Sequence, residues 1–443
     1  MTDAPIDTVV VGAGVAGLTA ARLIQRAGRG VVVLEARDRV GGRLHSARTE
    51  TGVTDLGASW IHGVDGNPLA DVVRAFGMRE MEFTVGSYQP DGRPIAYYGP
   101  DAARLTPAAA SAFAQDVHAF DAQLAATITA TEPGATYARA VDGALARLGW
   151  DPHRAARVRE FALHRSEEQY GVHASRLDAH GLDDDRIEGD EVVFPDGYDA
   201  LAAHLADGLD VRLGHEVSRV DWSDAGAAVT AGDATLRAAH AIVTVPVGVL
   251  KSDAFAIEPP LPSPVADALA GLEMNAFEKV FLRFDARFWD DDVYAVRRQG
   301  DSALWWHSWY DLTALHGIPT LLTFAAGPAA IGTRMWDDDA IAASVLASLG
   351  ELYGDRVPSP ASVTVTRWQD DPFARGSYAY LTPGATPADH DLLATPIGGG
   401  ALHLAGEATW TDDPATVTAA LRSGHRAAER VVGRPIAFSE LWA

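Results

Sequence analysis

The chain has 443 residues, 47% of them hydrophobic and 22% charged, which describes a folded protein large enough for more than one core and excludes a disordered one. Its formal net charge of -24 argues against nucleic-acid binding, which needs a basic face to displace counterions, and favours cationic small molecules. With 0 cysteines, disulfides, thiolate metal sites, catalytic thiols and a cysteinyl link to any cofactor are excluded.

The first residues lead into a strand without a basic leader, and no apolar run is long enough to cross a bilayer, so a cytoplasmic enzyme without membrane contact is expected. Thr8 to Val11 is a β-branched run, Val15 to Ala27 has helical periodicity and Val31 to Leu34 is a second β-branched run, a βαβ pattern. Asp101 to Leu177 reads as helical. A helix is expected from Tyr198 to Leu209, then short strands around Val211, Val217 to Trp222 and Ala227 to Thr230, ending in the buried run Ala241 to Val245. Glu258 to Pro264 is a proline-rich loop, and Glu278 to Thr366 is strand-rich and holds Trp305, Trp306 and Trp309. Ala401 to Ala405 reads as a short buried strand and Thr416 to Val432 as a long amphipathic helix.

Chemistry begins at the first βα turn. Gly12, Gly14 and Gly17 have the spacing of a dinucleotide fingerprint: a tight turn, a close backbone approach to pyrophosphate, and a helix N-terminus facing its charge. Glu35 ends the second strand, where a carboxylate can accept ribose hydroxyls and repels a 2'-phosphate; NADP is disfavoured, while NAD and FAD remain. The continuation through Arg37, Gly41, Gly42 and Arg43 adds a second glycine pair and a guanidinium beside phosphate, which favours FAD.

That run strongly resembles the flavin amine oxidase superfamily. Further matches follow in order: Leu56-Gly57-Ala58-Ser59-Trp60-Ile61-His62-Gly63, Asn67-Pro68, Phe194-Pro195-Asp196-Gly197-Tyr198, Lys279, Arg375-Gly376-Ser377-Tyr378, Ala405-Gly406-Glu407-Ala408-Thr409 and Pro414-Ala415-Thr416-Val417. In these motifs the chain is most similar to polyamine oxidases and lysine-specific histone demethylases. The resemblance implies an α/β fold of the two-domain glutathione-reductase-like kind, with a Rossmann-type FAD-binding domain at residues 1–75, 191–255 and 390–443. An inserted α+β substrate domain would take residues 76–190 and 256–389.

The resemblance also implies roles. Gly57, Ala58, Ser59 and Trp60 would run along the flavin edge, Val217 would meet adenine through its backbone, and Glu407 would contact the ribityl chain. Thr416 and Val417 would begin a helix facing the flavin pyrimidine. Lys279 would hold a water at flavin N5, and Trp368 and Tyr378 would wall the amine site. Thr416 stands where monoamine oxidases pair a second tyrosine with the first. His62, Trp309, Tyr378 and Thr416 are expected in the substrate pocket, and the acidic run Asp183, Asp184, Asp185, Glu188, Asp190 and Glu191 at its entrance.

The implied activity is oxidation of an amine, above all a polyamine or related cationic amine, to an imine by hydride transfer to non-covalently held FAD, with O2 reduced to hydrogen peroxide. An L-amino-acid or monoamine oxidase stays open as the alternative, the former needing an arginine for a substrate carboxylate, with Arg297, Arg298 and Arg334 as candidates. A flavin-bearing binding scaffold is the alternative outside the enzymes.

Overall fold

The computed structural model describes residues 6–49, 52–84, 88–181 and 187–443. Its central feature is a five-stranded parallel sheet in the order Leu402–Leu404, His240–Val243, Thr8–Val11, Val31–Leu34 and Val211–Arg212. Successive side chains of a strand point to opposite faces, and the three central strands follow this rule. Val10, Val33 and Ile242 enter one core, with the Val15–Arg26 helix. Val9, Val11, Val32, Leu34, Ala241 and Val243 enter a second core on the other face. Burial on both faces is why these strands read as continuous apolar runs rather than as alternating ones.

The Val417–Val432 helix completes the first layer by packing on the Val15–Arg26 helix. Their contact leaves no room for a side chain: a Cβ at Gly424 would lie 2.1 Å from the Ala16 carbonyl oxygen. The second face is covered by a four-stranded sheet in the order Ala234–Ala238, Gly226–Ala231, Val217–Ser223 and Ala256–Glu258.

A mixed sheet lies beyond, in the order Ser362–Val365, Phe277–Arg283, Thr320–Ala326, Ser308–Asp311, Ala295–Arg298 and Ile95–Tyr98. The helical stretch divides into Pro107–Thr129, Tyr137–Leu148 and Pro152–Tyr170, which share one core. Capping explains the divisions: the side chains of Thr106, Thr136 and Asp151 each accept an N–H from the first turn, and Gly149 and Gly171 end the second and third helices in the left-handed region.

Two expectations needed correction. The strand-rich stretch also contains the Asp338–Tyr353 helix, whose signal was present: Asp337 caps it by accepting the Ala340 N–H, Asp338 and Asp339 occupy its first turn, and Ile341, Val345 and Leu349 recur every four residues. The helix expected from Tyr198 to Leu209 runs only from Ala200 to Ala206.

Gly424→Ala should force the first and last helices apart and lower stability by about 1–3 kcal/mol, the usual range for overpacking. Thermal melting checks this, and an unchanged Tm would remove the close approach from the account.

Candidate active site

A cavity of about 670 Å³ opens where the parallel sheet ends and the mixed sheet begins, within the size range of small-molecule sites. Its walls include the carboxyl ends of the first two parallel strands at Val11 and Leu34, the following turns, Val217, and Phe277, Lys279, Tyr310 and Phe324 from the mixed sheet. The carboxyl edge of an open parallel sheet is where α/β folds place ligands.

Its nucleotide end fits a dinucleotide. Gly12 has φ +103, and a Cβ there would lie 2.6 Å from Thr244 Oγ1. A Cβ at Gly17 would lie 2.0 Å from the Gly12 carbonyl, so this glycine serves helix-to-strand packing. Gly14 faces open space, and no side chain caps the helix that starts after it, leaving first-turn amides for an anion. The buried Glu35 carboxylate accepts the Ala13 N–H at 2.7 Å and the Arg37 N–H at 3.0 Å.

Arg37 reaches the cavity but is also held by a two-pronged ion pair with Asp371, at 2.8 and 2.6 Å. No motif flagged Asp371. Arg43 donates to the Ser377 carbonyl at 2.9 Å and to Glu407 at 2.8 Å, which joins the N-terminal motif to the C-terminal one. Thr416 caps the last helix by accepting the Ala419 N–H at 3.0 Å, and Thr416, Val417 and Thr418 line the cavity together with Gly42 and Glu407.

Lys279 lies on the Phe277–Arg283 strand, between Ser362–Val365 and Thr320–Ala326, so it is a central-strand lysine and not an edge one. It is 7% exposed, and its Nζ donates to Ser59 Oγ and the Gly57 carbonyl, both at 2.6 Å, and to the Asp55 carbonyl at 3.1 Å. Three acceptors use the full donor capacity of an ammonium. Burial pulls its pKa down to about 8, partly opposed by the Asp55 charge. Burial likewise pushes Asp55 up to about 6. The same loop is fixed on its far side by Trp368, whose Nε1 donates to the Leu56 carbonyl at 2.9 Å, and Trp60 Nε1 donates to the Phe83 carbonyl at 3.2 Å. Gly57 could carry no side chain, since a Cβ would lie 1.8 Å from the Arg43 carbonyl.

Tyr378 lines the cavity beside Phe277, ring centroids 5.7 Å apart, and burial holds its phenol well above the ordinary range. Trp309 does not belong here. It is fully buried on the Ser308–Asp311 strand and points into the core between the mixed sheet and the Asp338–Tyr353 helix, while its neighbour Tyr310 takes the cavity side. Period-2 alternation makes the two mutually exclusive, and the sequence reading chose the wrong face. Tyr310, Phe277, Phe324 and Glu168 are lining residues that no motif singled out.

His62 lines the cavity and its Nδ1 contacts Glu191 Oε1, whose side chain is fully buried. Glu188 also lines the cavity, Asp190 is exposed, and Asp183, Asp184 and Asp185 lie outside the described residues. Arg297, Arg298 and Arg334 are absent from the lining; Arg298 pairs with Glu351 at 2.5 Å and Arg334 with Asp370 at 2.7 Å.

A dinucleotide cradle continuous with an aromatic pocket and a buried lysine defines a flavin-type oxidoreductase site. The chain belongs to the flavin-containing amine oxidoreductase family, whose model matches residues 15–432. Membership makes it an oxidoreductase acting on CH–NH or CH–NH2 groups. It is 30% identical to probable polyamine oxidase 4 of Arabidopsis thaliana, over 95% of this chain and 86% of that protein. It is also 30% identical to lysine-specific histone demethylase 1 homolog 1 of Oryza sativa subsp. japonica over 97% of this chain, but spans only 52% of that longer protein. A structure of wild-type putrescine oxidase bound to putrescine superposes with a TM-score of 0.77 over 97% of this chain and 100% of that one, at 22% identity, which shows a shared fold. No helix among the described residues is long and apolar enough to cross a membrane.

The chain contains two lysines, Lys251 and Lys279, so protein isotopically labelled on lysine gives two side-chain signals by NMR. One should titrate with a midpoint near 8. Asp55→Asn removes the charge that raises Lys279 and should move that midpoint lower; a midpoint that stays in place or rises would refute the coupling.

Proposed function

We propose that the chain holds FAD non-covalently and uses it to oxidise a polyamine or related cationic amine to an imine, with O2 reduced to hydrogen peroxide. The observation that carries this reading is the buried Lys279 ammonium, held by three oxygens at the seam between the dinucleotide cradle and the aromatic pocket. When bound, the flavin supplies the two-electron acceptor between amine and dioxygen.

Residues 1–75, 191–255 and 390–443 hold the cofactor in this reading, and residues 76–190 and 256–389 frame the amine. Gly12, Gly14, Gly42 and Arg43 would take the pyrophosphate, Glu35 the adenosine ribose and Val217 the adenine. Gly57, Ala58, Ser59, Trp60, Trp368, Glu407, Thr416 and Val417 would surround the remainder. Arg37, already engaged by Asp371, shapes the adenosine end rather than bearing phosphate charge alone.

Lys279 holds a proton at Nζ below about pH 8 and releases it above, so the positive charge it places at the reacting end depends on pH. Tyr378, with Phe277 beside it, orients the amine and excludes water. The reacting nitrogen must be uncharged to give up hydride, and a buried aromatic surface favours the neutral form. Glu188, exposed on the cavity lining near His62, draws cations toward the site.

Purified protein should be yellow, and spermine, spermidine, N-acetylated polyamines or putrescine should elicit peroxide. Silence with every amine, with tyramine and amino acids included in the panel, would overturn the oxidase reading. Lys279→Met should slow flavin reduction or reoxidation by about a hundredfold while FAD stays bound. Equal rates in both half-reactions would remove Lys279 from the chemistry.

A further inference from the structure

One buried acid on the cavity wall is left unused by that mechanism. Glu168 belongs to the Pro152–Tyr170 helix, its side chain is 6% exposed, and it lines the cavity although it carries none of the cofactor motifs. A carboxylate at such a depth requires partners. Tyr310 Oη donates to its Oε2 at 2.9 Å, while His307 Nδ1 lies 3.5 Å from Oε1. Burial lowers the pKa of His307 far below the ordinary value, so this ring is neutral and supplies no counter-charge to the carboxyl.

Arg297 is the cation nearby. Its Nη1 donates to the Gln89 carbonyl at 2.6 Å and its guanidinium lies over the Tyr88 ring at 4.0 Å; no direct ion pair joins it to Glu168 among the described residues. Burial pushes the Glu168 carboxyl up to about 7 even with the Arg297 charge and the Tyr310 hydrogen bond opposing it. A carboxylate has room for about four hydrogen bonds, so capacity remains on the cavity side.

Glu168 also stands at a defined place relative to the reacting end. An unbroken aromatic wall runs from Tyr378 to Phe277, Phe324 and Tyr310, with ring centroids 5.7, 4.7 and 5.5 Å apart in turn, and all four residues line the cavity. Asn275 fixes the two ends: its Nδ2 donates to the Tyr170 carbonyl at the end of the Glu168 helix, at 2.7 Å, and its Oδ1 accepts the Tyr378 N–H at 3.1 Å. Such a wall suits an alkyl chain, and an acid at its far end suits a cation.

We propose that Glu168 is the anionic subsite for the distal ammonium of a diamine-type substrate whose other nitrogen reacts at the Tyr378 and Lys279 end of the cavity. The assignment rests on the amine-oxidase reading and adds the group that measures substrate length. A monoamine of equal carbon count fills the aromatic wall but leaves the acid without a cation.

The test compares α,ω-diaminoalkanes with n-alkylamines of matched length. The wild-type protein should favour the diamine at one optimal length. Glu168→Gln should reduce the diamine-to-monoamine ratio of kcat/KM by about 30-fold or more, mainly through KM, as expected on removing one partner of a desolvated charge pair. Glu168→Asp should move the optimum to a longer diamine, and this variant with the wild-type series decides the matter if the glutamine variant fails to fold. No diamine preference in the wild type, or the same ratio and the same optimum in the variants, would overturn the subsite. Absence of turnover with diamines and monoamines alike would instead overturn the amine-oxidase reading itself.

Discussion

One guanidinium joins its own stretch of the chain to two distant ones. Arg43, from the glycine-rich run after the second strand, donates to Ser377 at the edge of the aromatic pocket and to Glu407 just before the last helix. It is the link through which the dinucleotide cradle and the pocket share one wall. The pair is mostly buried, with the acid the deeper partner, so loss of either side leaves a charge poorly solvated rather than merely unpaired.

A second constraint is electrostatic. In a protein with a net charge of -24, a buried lysine is expected to sit on a carboxylate, yet Nζ of Lys279 is solvated by two backbone carbonyls and a serine hydroxyl, and Asp55 acts through its charge at a distance and its carbonyl in contact. Dipoles satisfy the ammonium without tying it to one permanent counter-charge. The proton therefore stays exchangeable near neutrality, whereas a tight ion pair would raise the pKa and lock it in place.

The sequence was most legible where backbone geometry dictates residue type. The first strand, helix and second strand lie where β-branched runs and glycine spacing place them, and Gly12, Gly17 and Gly57 occupy positions that a Cβ would obstruct. Residues that work through side-chain direction were less legible. Trp309 and Tyr310 are adjacent aromatics on one strand, and nothing local states which faces the cavity. Glu168 sits in a helix beside Glu167, and only tertiary packing shows which acid lines the cavity. Asp371 was invisible because its partner Arg37 is 334 positions away.

The order of strands in the parallel sheet bears on how the protein is made. The outer strand Leu402–Leu404 pairs with His240–Val243, and the helix that covers Val15–Arg26 begins only at Val417. During ribosomal synthesis the apolar flank of the first helix therefore emerges hundreds of residues before its cover. Until that later helix has been made, the nascent flank is a sticky surface of the kind that chaperones shield.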